Sequence, residues 1–214
     1  MHLSSTETVS NVTVSVNPPS LMEFNSSAVI TCSVSSGSSL SFLWKNGSSE
    51  VAAGDRVQLT DGGSTLTIVN VTRYDWGPFR CHAFNLVSNG TSDSVNLTIS
   101  YGPDDMALTV NGQSTTSFPV GSNLTMLCSA QSSPPAQFHW AVRGKLVNTT
   151  GPMLELFSVS KDQSGSYYCL AFNNHTNINS SITKHITIGE SSGSEQQTVS
   201  VWLLRLLLLF GFLL

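Results

Sequence analysis

Cys32 is followed twelve residues later by Trp44, and Cys128 is followed twelve residues later by Trp140, so the two pairs are displaced by 96 positions (128 − 32 and 140 − 44). The second cysteines, Cys81 and Cys169, extend the match. Counting back from each, Phe79 and Tyr167 fall at −2, Gly77 and Gly165 at −4, Val71 and Val159 at −10, Ile68 and Leu156 at −13, and Leu66 and Leu154 at −15. Forward of them, Ala83-Phe84-Asn85 matches Ala171-Phe172-Asn173. Self-similarity at one fixed displacement marks two homologous units. They abut at Tyr101-Gly102-Pro103, where Gly and Pro punctuate the chain. The expected organisation is a leader at 1–8, domains at 9–101 and 102–189, a polar stalk at 190–200 and a hydrophobic tail at 201–214. Cys32 to Cys81 spans 49 positions and Cys128 to Cys169 spans 41. The eight extra residues fall around 50–63, enough for an additional short edge strand.

Each unit reads as β-structure. Ala28, Ile30, Cys32 and Val34 share one face of a period-two pattern, as do Leu124, Met126, Cys128 and Ala130. Phe42/Trp44 with Phe138/Trp140, and Phe79/Cys81/Ala83 with Tyr167/Cys169/Ala171, alternate likewise. Such runs, separated by Gly, Ser, Asn and Pro, are half-buried antiparallel strands. A Cys on an early strand, a Trp on the next and a Cys near the end form the immunoglobulin pattern, in which the disulfide joins two packed sheets and the indole covers it. The predicted fold is therefore all-β, two tandem immunoglobulin-like antiparallel β-sandwiches with a C-terminal hydrophobic anchor signal. The bridges are Cys32–Cys81 and Cys128–Cys169, with Trp44, Trp140 and Tyr167 in the cores. Tyr167 can make a tyrosine corner through its hydroxyl; Phe79 at the matching place cannot. A salt bridge is expected between Arg56 and Asp75, where the second unit has Gln163. Metal binding is the rival use of four cysteines, but no C-x-x-C pair occurs and the spacings suit disulfides better. Persistent disulfides place the chain in an oxidising compartment.

Only 10% of residues are charged and the formal net charge is −4, against about 25% charged in average chains. No Lys/Arg-rich face is available to neutralise phosphates, so nucleic acid is excluded as a partner. No a/d periodicity supports a coiled coil.

The ends carry their own signals. Val199 to Leu214, VSVWLLRLLLLFGFLL, is almost wholly apolar. Sixteen residues rise about 24 Å as helix, short of a hydrocarbon core of roughly 30 Å. Arg205 within it would cost roughly 2.5–3.5 kcal/mol near the membrane centre. Upstream lie small residues, Ser191-Ser192-Gly193-Ser194, then the polar spacer Glu195-Gln196-Gln197-Thr198. Small triplet, spacer and tail compose a glycosylphosphatidylinositol attachment signal, with the lipid near Ser192. A short transmembrane anchor is the alternative. The N-terminal MHLSSTETVSNVTV lacks an apolar h-region and is no secretory signal, so either the signal has been removed or the chain is a fragment of a longer precursor, the latter being expected.

Sequons of the form N-x-S/T occur at Asn11, Asn25, Asn46, Asn70, Asn89, Asn96, Asn123, Asn148, Asn174 and Asn179. Fifteen Asn in a chain about one-quarter Ser/Thr give roughly four by chance, so ten is an excess. Asn96 precedes inward Leu97 and Asn123 precedes inward Leu124, so both are expected to point outward, where a glycan can stand.

Tyr101-Gly102-Pro103-Asp104, the run Ser133-Pro134-Pro135-Ala136-Gln137-Phe138-His139-Trp140, and Ser164-Gly165-Ser166-Tyr167-Tyr168-Cys169-Leu170-Ala171-Phe172-Asn173 resemble the carcinoembryonic-antigen-related cell adhesion molecules. The first unit, with Asp55-Arg56-Val57-Gln58-Leu59 and Leu66-Thr67-Ile68, resembles their longer constant-type or intermediate-type domain. The resemblance covers about residues 9–189. It implies a heavily glycosylated surface glycoprotein, in several members lipid-carried, that mediates adhesion or serves as a receptor for microbes. The family's adhesive contacts come mostly from an N-terminal variable-type domain without the disulfide. Neither unit here has that form, so no binding residue is carried over. The tail with Arg205 is also more leucine-rich than typical family anchor signals.

An enzyme is not expected. His2, His82, His139, His175 and His185 are scattered, with no G-x-S-x-G, H-E-x-x-H or P-loop pattern, and no cofactor or metal is implied. A recognition module fits better. Outward positions beside the inward Trp and Cys are Leu43, Lys45, Arg80, His82 and Phe84 in the first unit, and His139, Ala141, Tyr168, Leu170 and Phe172 in the second. Tyr168, Leu170 and Phe172 form an aromatic and aliphatic ladder on one strand, the kind of exposure enriched at interfaces; packing beneath a neighbouring domain or a glycan is the alternative. The expected function is non-enzymatic adhesion or ligand recognition at the extracellular face of the plasma membrane, with a homophilic or heterophilic cell-surface protein partner. If the tail spans instead, the chain reads as a receptor subunit pairing with a signalling adaptor through Arg205.

Overall fold

The computed structural model describes residues 6–190; Ser192, Arg205 and the hydrophobic tail lie outside them. The fold is all-β. The first repeat contributes β1 (Ser10–Asn17), β2 (Leu21–Met22), β3 (Ala28–Ser36), β4 (Ser41–Asn46), β5 (Ser49–Glu50), β6 (Val57–Thr60), β7 (Thr65–Ile68), β8 (Phe79–Phe84) and β9 (Asn89–Thr91). The second contributes β10 (Ile99–Val110), β11 (Ser117–Pro119), β12 (Leu124–Ser133), β13 (Gln137–Val142), β14 (Lys145–Thr150), β15 (Met153–Leu156), β16 (Gly165–Asn173) and β17 (Ile178–Gly189). The first sandwich is built from sheets ordered β1-β3-β7-β6 and β5-β4-β8-β9. The remaining sheets are ordered β15-β12-β10-β2 and β11-β17-β16-β13-β14; within the first of them Leu21 of β2 and Ile99 at the start of β10 belong to the core of the first sandwich. Among the described pairings all are antiparallel except β10 with β2 and β11 with β17.

The extra residues of the first repeat have a visible use. They supply β6, which pairs with β7 through Val57↔Ile68 and Leu59↔Leu66 and ends its sheet. In the second repeat β15 ends the corresponding sheet. The 101–103 segment is not a turn, because Ile99–Val110 is one continuous strand, β10; the ladder with Leu21 and Met22 keeps its start extended. By proximity, the chain forms two compact units. Within the described residues, one comprises 6–106 with Ala130–Gln137 and Ala171–Ser180; the other comprises Ala107–Ser129, Phe138–Leu170 and 181–190.

Alternation sets each core. Ala28, Ile30 and Cys32 are buried along β3, and Leu124, Met126 and Cys128 along β12. Cys32 is bonded to Cys81 and Cys128 to Cys169, with Cα atoms 6.1 and 6.4 Å apart. Trp44 lies directly opposite Cys81 in the β4–β8 ladder. A buried indole needs an acceptor for its N–H. Trp44 Nε1 donates to the Gly63 carbonyl at 2.9 Å, and Trp140 Nε1 donates to the Gly151 carbonyl at 3.0 Å. Gly63 and Gly151 are 88 positions apart, the displacement of the second cysteines (169 − 81). Gly77 (φ +98°) and Gly165 (φ +148°), which share that displacement, adopt backbone angles rarely open to other residues.

Tyr167 is buried and its hydroxyl donates to the Gln163 carbonyl at 2.7 Å; burial pushes its pKa up. Tyr167→Phe removes that donor and leaves the carbonyl unpaired. The expected loss is about 1 kcal/mol in the second domain, read as a lower urea midpoint for that domain's transition with the first unchanged.

Arg56 Nη2 reaches both carboxylate oxygens of Asp75 at 2.9 Å, and its Nη1 donates to the Asn70 carbonyl at 3.1 Å. Asp75 also accepts from the Thr72 N–H and hydroxyl at 2.7 and 2.9 Å. The Arg side chain is 41% exposed, so the pair closes the loop after β7 and contributes on the order of 1 kcal/mol.

Candidate recognition face

With Trp44, Cys81 and Ala83 turned inward, the alternate residues of β4, β8 and β9 compose an outer face in three rows. Lys45 stands between Glu50 and Arg80; Leu43 is opposite His82, which is opposite Thr91; Ser41 is opposite Phe84, which is opposite Asn89. Leu43, Lys45, His82, Phe84 and the Asn85–Gly90 hairpin line an open concavity. Lys45 and Arg80 face each other as like charges, and neither belongs to a described ion pair. His82 Nδ1 lies 2.9 Å from the Thr91 hydroxyl. Burial pushes the His82 pKa down, helped by the positive Lys45 and Arg80, so the imidazole is neutral at pH 7.

The β8–β9 hairpin is the most exposed apolar element of this face. Leu86 is 96% exposed, Val87 58% and Phe84 41%. The turn is rigid because Asn85 organises it. Its Oδ1 accepts from the Val87 and Ser88 N–H groups at 3.1 and 3.0 Å, and its Nδ2 donates to the Glu7 and Ser38 carbonyls at 2.7 and 3.1 Å. Asn173, the same member of the repeated Ala-Phe-Asn triplet, does the corresponding work after β16. Its Oδ1 accepts from His175 N–H at 2.9 Å and its Nδ2 donates to the Ser132 hydroxyl at 2.9 Å. The turn chemistry is shared, yet the residues it presents differ: Leu86-Val87 in one repeat, Asn174-His175 in the other. The fold therefore does not require the apolar pair. Sequence alternation missed Leu86 and Val87 because they lie past the end of the strand; two apolar residues between Asn85 and Asn89 were the available signal.

Tyr168, Leu170 and Phe172 lie on β16, alternating with buried Tyr167, Cys169 and Ala171. Each is half-buried rather than open. Ala141, expected to face outward on the adjacent β13, is instead buried at 7% exposed, just past the register shift between His139 and Trp140 that breaks the alternation of this strand. His139 is exposed. All ten sequon asparagines are exposed, whereas Asn173, which belongs to no sequon, is the buried asparagine among the described residues. Among the described residues no group of three His, Cys, Asp or Glu could hold a metal ion, and no helix is long and apolar enough to cross a membrane.

Residues 18–94 match one immunoglobulin-domain family model and residues 107–173 match another. The chain belongs to the immunoglobulin superfamily. Its two immunoglobulin domains are similar to cell adhesion molecule CEACAM16 of Rattus norvegicus, 28% identical over 184 residues that cover 84% of this chain and 43% of the relative. The Mus musculus counterpart is 27% identical over the same shares. The chain thus spans less than half the length of these relatives. Among solved structures, the N-terminal four immunoglobulin domains of Dscam1 isoform 6.9 superpose with TM-score 0.52 at 23% identity, covering 84% of this chain and 47% of that one. An I-band fragment of titin superposes with TM-score 0.54 at 17% identity, covering 87% and 66%. These two likenesses concern the immunoglobulin fold alone.

Proposed function

We propose that this chain is a non-enzymatic cell-surface glycoprotein that recognises another cell-surface protein, homophilically or heterophilically, through the outer β4-β8-β9 face of its first immunoglobulin domain. The observation that carries this reading is the rigid hairpin tip. Leu86 and Val87 are exposed on a turn that Asn85 fixes, and the second domain makes the same turn without them. An apolar tip held in place before binding loses little entropy on docking. Lys45 and Arg80 beside it favour a partner with acidic groups at its rim. The ladder Tyr168, Leu170 and Phe172 is the second candidate contact row, on a more shaded strand.

The exposed sequons support glycosylation in the secretory pathway, in domains bounded near 9–101 and 102–189. Attachment to the outer face of the plasma membrane follows from the small-residue segment at Ser192 and the hydrophobic tail, by lipid; a short span with Arg205 paired to an adaptor chain is the alternative. The adhesion-molecule relatives support the same setting.

Leu86→Asp tests the recognition face. The residue makes almost no packing contribution, so the thermal midpoint is expected to stay within about 2 °C of the parent. Binding of ectodomain-coated beads to each other, or to cells carrying a receptor, is expected to weaken at least tenfold. Undiminished binding to both would overturn the reading.

A further inference from the structure

We infer that an N-linked glycan on Asn89 seats its innermost N-acetylglucosamine on the ring of Phe84, closing that side of the β4-β8-β9 concavity while leaving the hairpin tip open. Asn89 and Phe84 are directly opposite in the β8–β9 ladder. Residues so paired project from the same face with Cβ atoms about 4.5–5.5 Å apart. Asn89 is exposed, lines the concavity and begins the sequon Asn89-Gly90-Thr91. Phe84 is 41% exposed, so its ring has an open surface to offer.

The chemistry of the two surfaces matches. One face of the sugar ring presents C–H bonds polarised by the attached oxygens, and the aromatic face carries the negative part of its quadrupole. Attachment replaces one Nδ2–H of Asn89 with a bond to C1 of the sugar. The oligosaccharide is transferred from a polyisoprenyl pyrophosphate donor, whose pyrophosphate leaves and takes the proton. The other sequon with a described cross-strand aromatic, Asn46, is opposite Phe79. That ring is only 2% exposed and cannot be stacked upon. Asn89 thus differs from it in having both the linkage and a platform. The inference does not depend on which partner the hairpin tip meets.

The test uses the chain secreted from glycosylating cells as the parent, Asn89→Gln, Phe84→Leu and the double variant. Phe84→Leu keeps apolar bulk at an exposed position while removing the ring. Glycopeptide mass spectrometry establishes occupancy at Asn89. Hydrogen exchange of the β8 and β9 amides then reads the contact without any partner. Asn89→Gln is expected to speed this exchange about fivefold in the parent, the factor an aromatic stacking contact corresponds to. In the Phe84→Leu background the expected change is under twofold. An unoccupied Asn89, no change on Asn89→Gln, or an equal change in both backgrounds would each overturn the inference.

Discussion

Removing the Cys32–Cys81 bridge by the double substitution Cys32→Ala/Cys81→Ala is expected to unfold the first domain at 37 °C while the second stays folded. Closing a loop across 49 positions removes about 4 kcal/mol of chain entropy from the unfolded state. That is most of the stability of an ordinary small domain, about 5 kcal/mol at the low end. The packing loss adds to it, because both cysteines are buried and Trp44 stands opposite one of them. The 41-position loop of Cys128–Cys169 gives nearly the same value, since the entropy grows only with the logarithm of loop length. Loop length therefore does not decide which domain is weaker. Urea melts followed by circular dichroism check this: the parent gives two transitions, and each double variant loses one. A first domain that kept its transition without the bridge would show that its core alone suffices.

A second large effect is expected at Glu23. Its side chain is 6% exposed and faces Arg73 through several hydrogen bonds. Oε1 accepts from the Arg73 backbone N–H at 2.8 Å and from Nε at 2.9 Å, and Oε2 accepts from Nη2 at 2.5 Å. Asp104 also accepts from Arg73 Nη2, and the guanidinium carbon lies 4.1 Å from the centre of the Tyr101 ring. Glu23→Gln keeps the shape but removes the charge from a largely buried pair, at an expected cost of about 3 kcal/mol. The side-chain hydrogen bond from Arg73 holds the Glu23 carboxyl below its usual value, against the opposing effect of burial. A carboxyl lowered on folding contributes stability that is complete above the unfolded value of about 4.3. That contribution is lost as pH falls through the lower folded value. The parent and Glu23→Gln are therefore expected to differ most at pH 6–7 and to converge in acid, as denaturant midpoints across that range will show. A difference independent of pH would assign the effect to packing instead.

How much of this could be read in advance depends on whether a residue acts locally or at a distance. The cysteines, tryptophans and alternating core positions were legible because strand geometry imposes a period of two and the duplication printed the pattern twice. Gly77 and Gly165 stood out in the repeat for the same reason, and the structure supplies the cause in their positive φ. Asn85 and Asn173 also stood out as part of a repeated triplet, but the sequence did not disclose that they organise hairpins. Glu23 and Arg73 left no trace at all. They are fifty positions apart, the second repeat offers no matching pair, and nothing local distinguishes them from solvated charges. Alternation assigned Tyr168, Leu170 and Phe172 to the outer face of β16. It could not say how far neighbouring strands would shade them.

The opposition of Trp44 and Cys81 reaches beyond stability into how the molecule handles light. A disulfide accepts an electron from an excited indole held against it, so excitation of Trp44 in the folded domain ends in charge transfer rather than emission. The half-exposed Trp76 sits outside that trap and emits as a solvated indole. Folding therefore dims the buried indole of the first domain, and a rise in intensity reports the loss of native structure there.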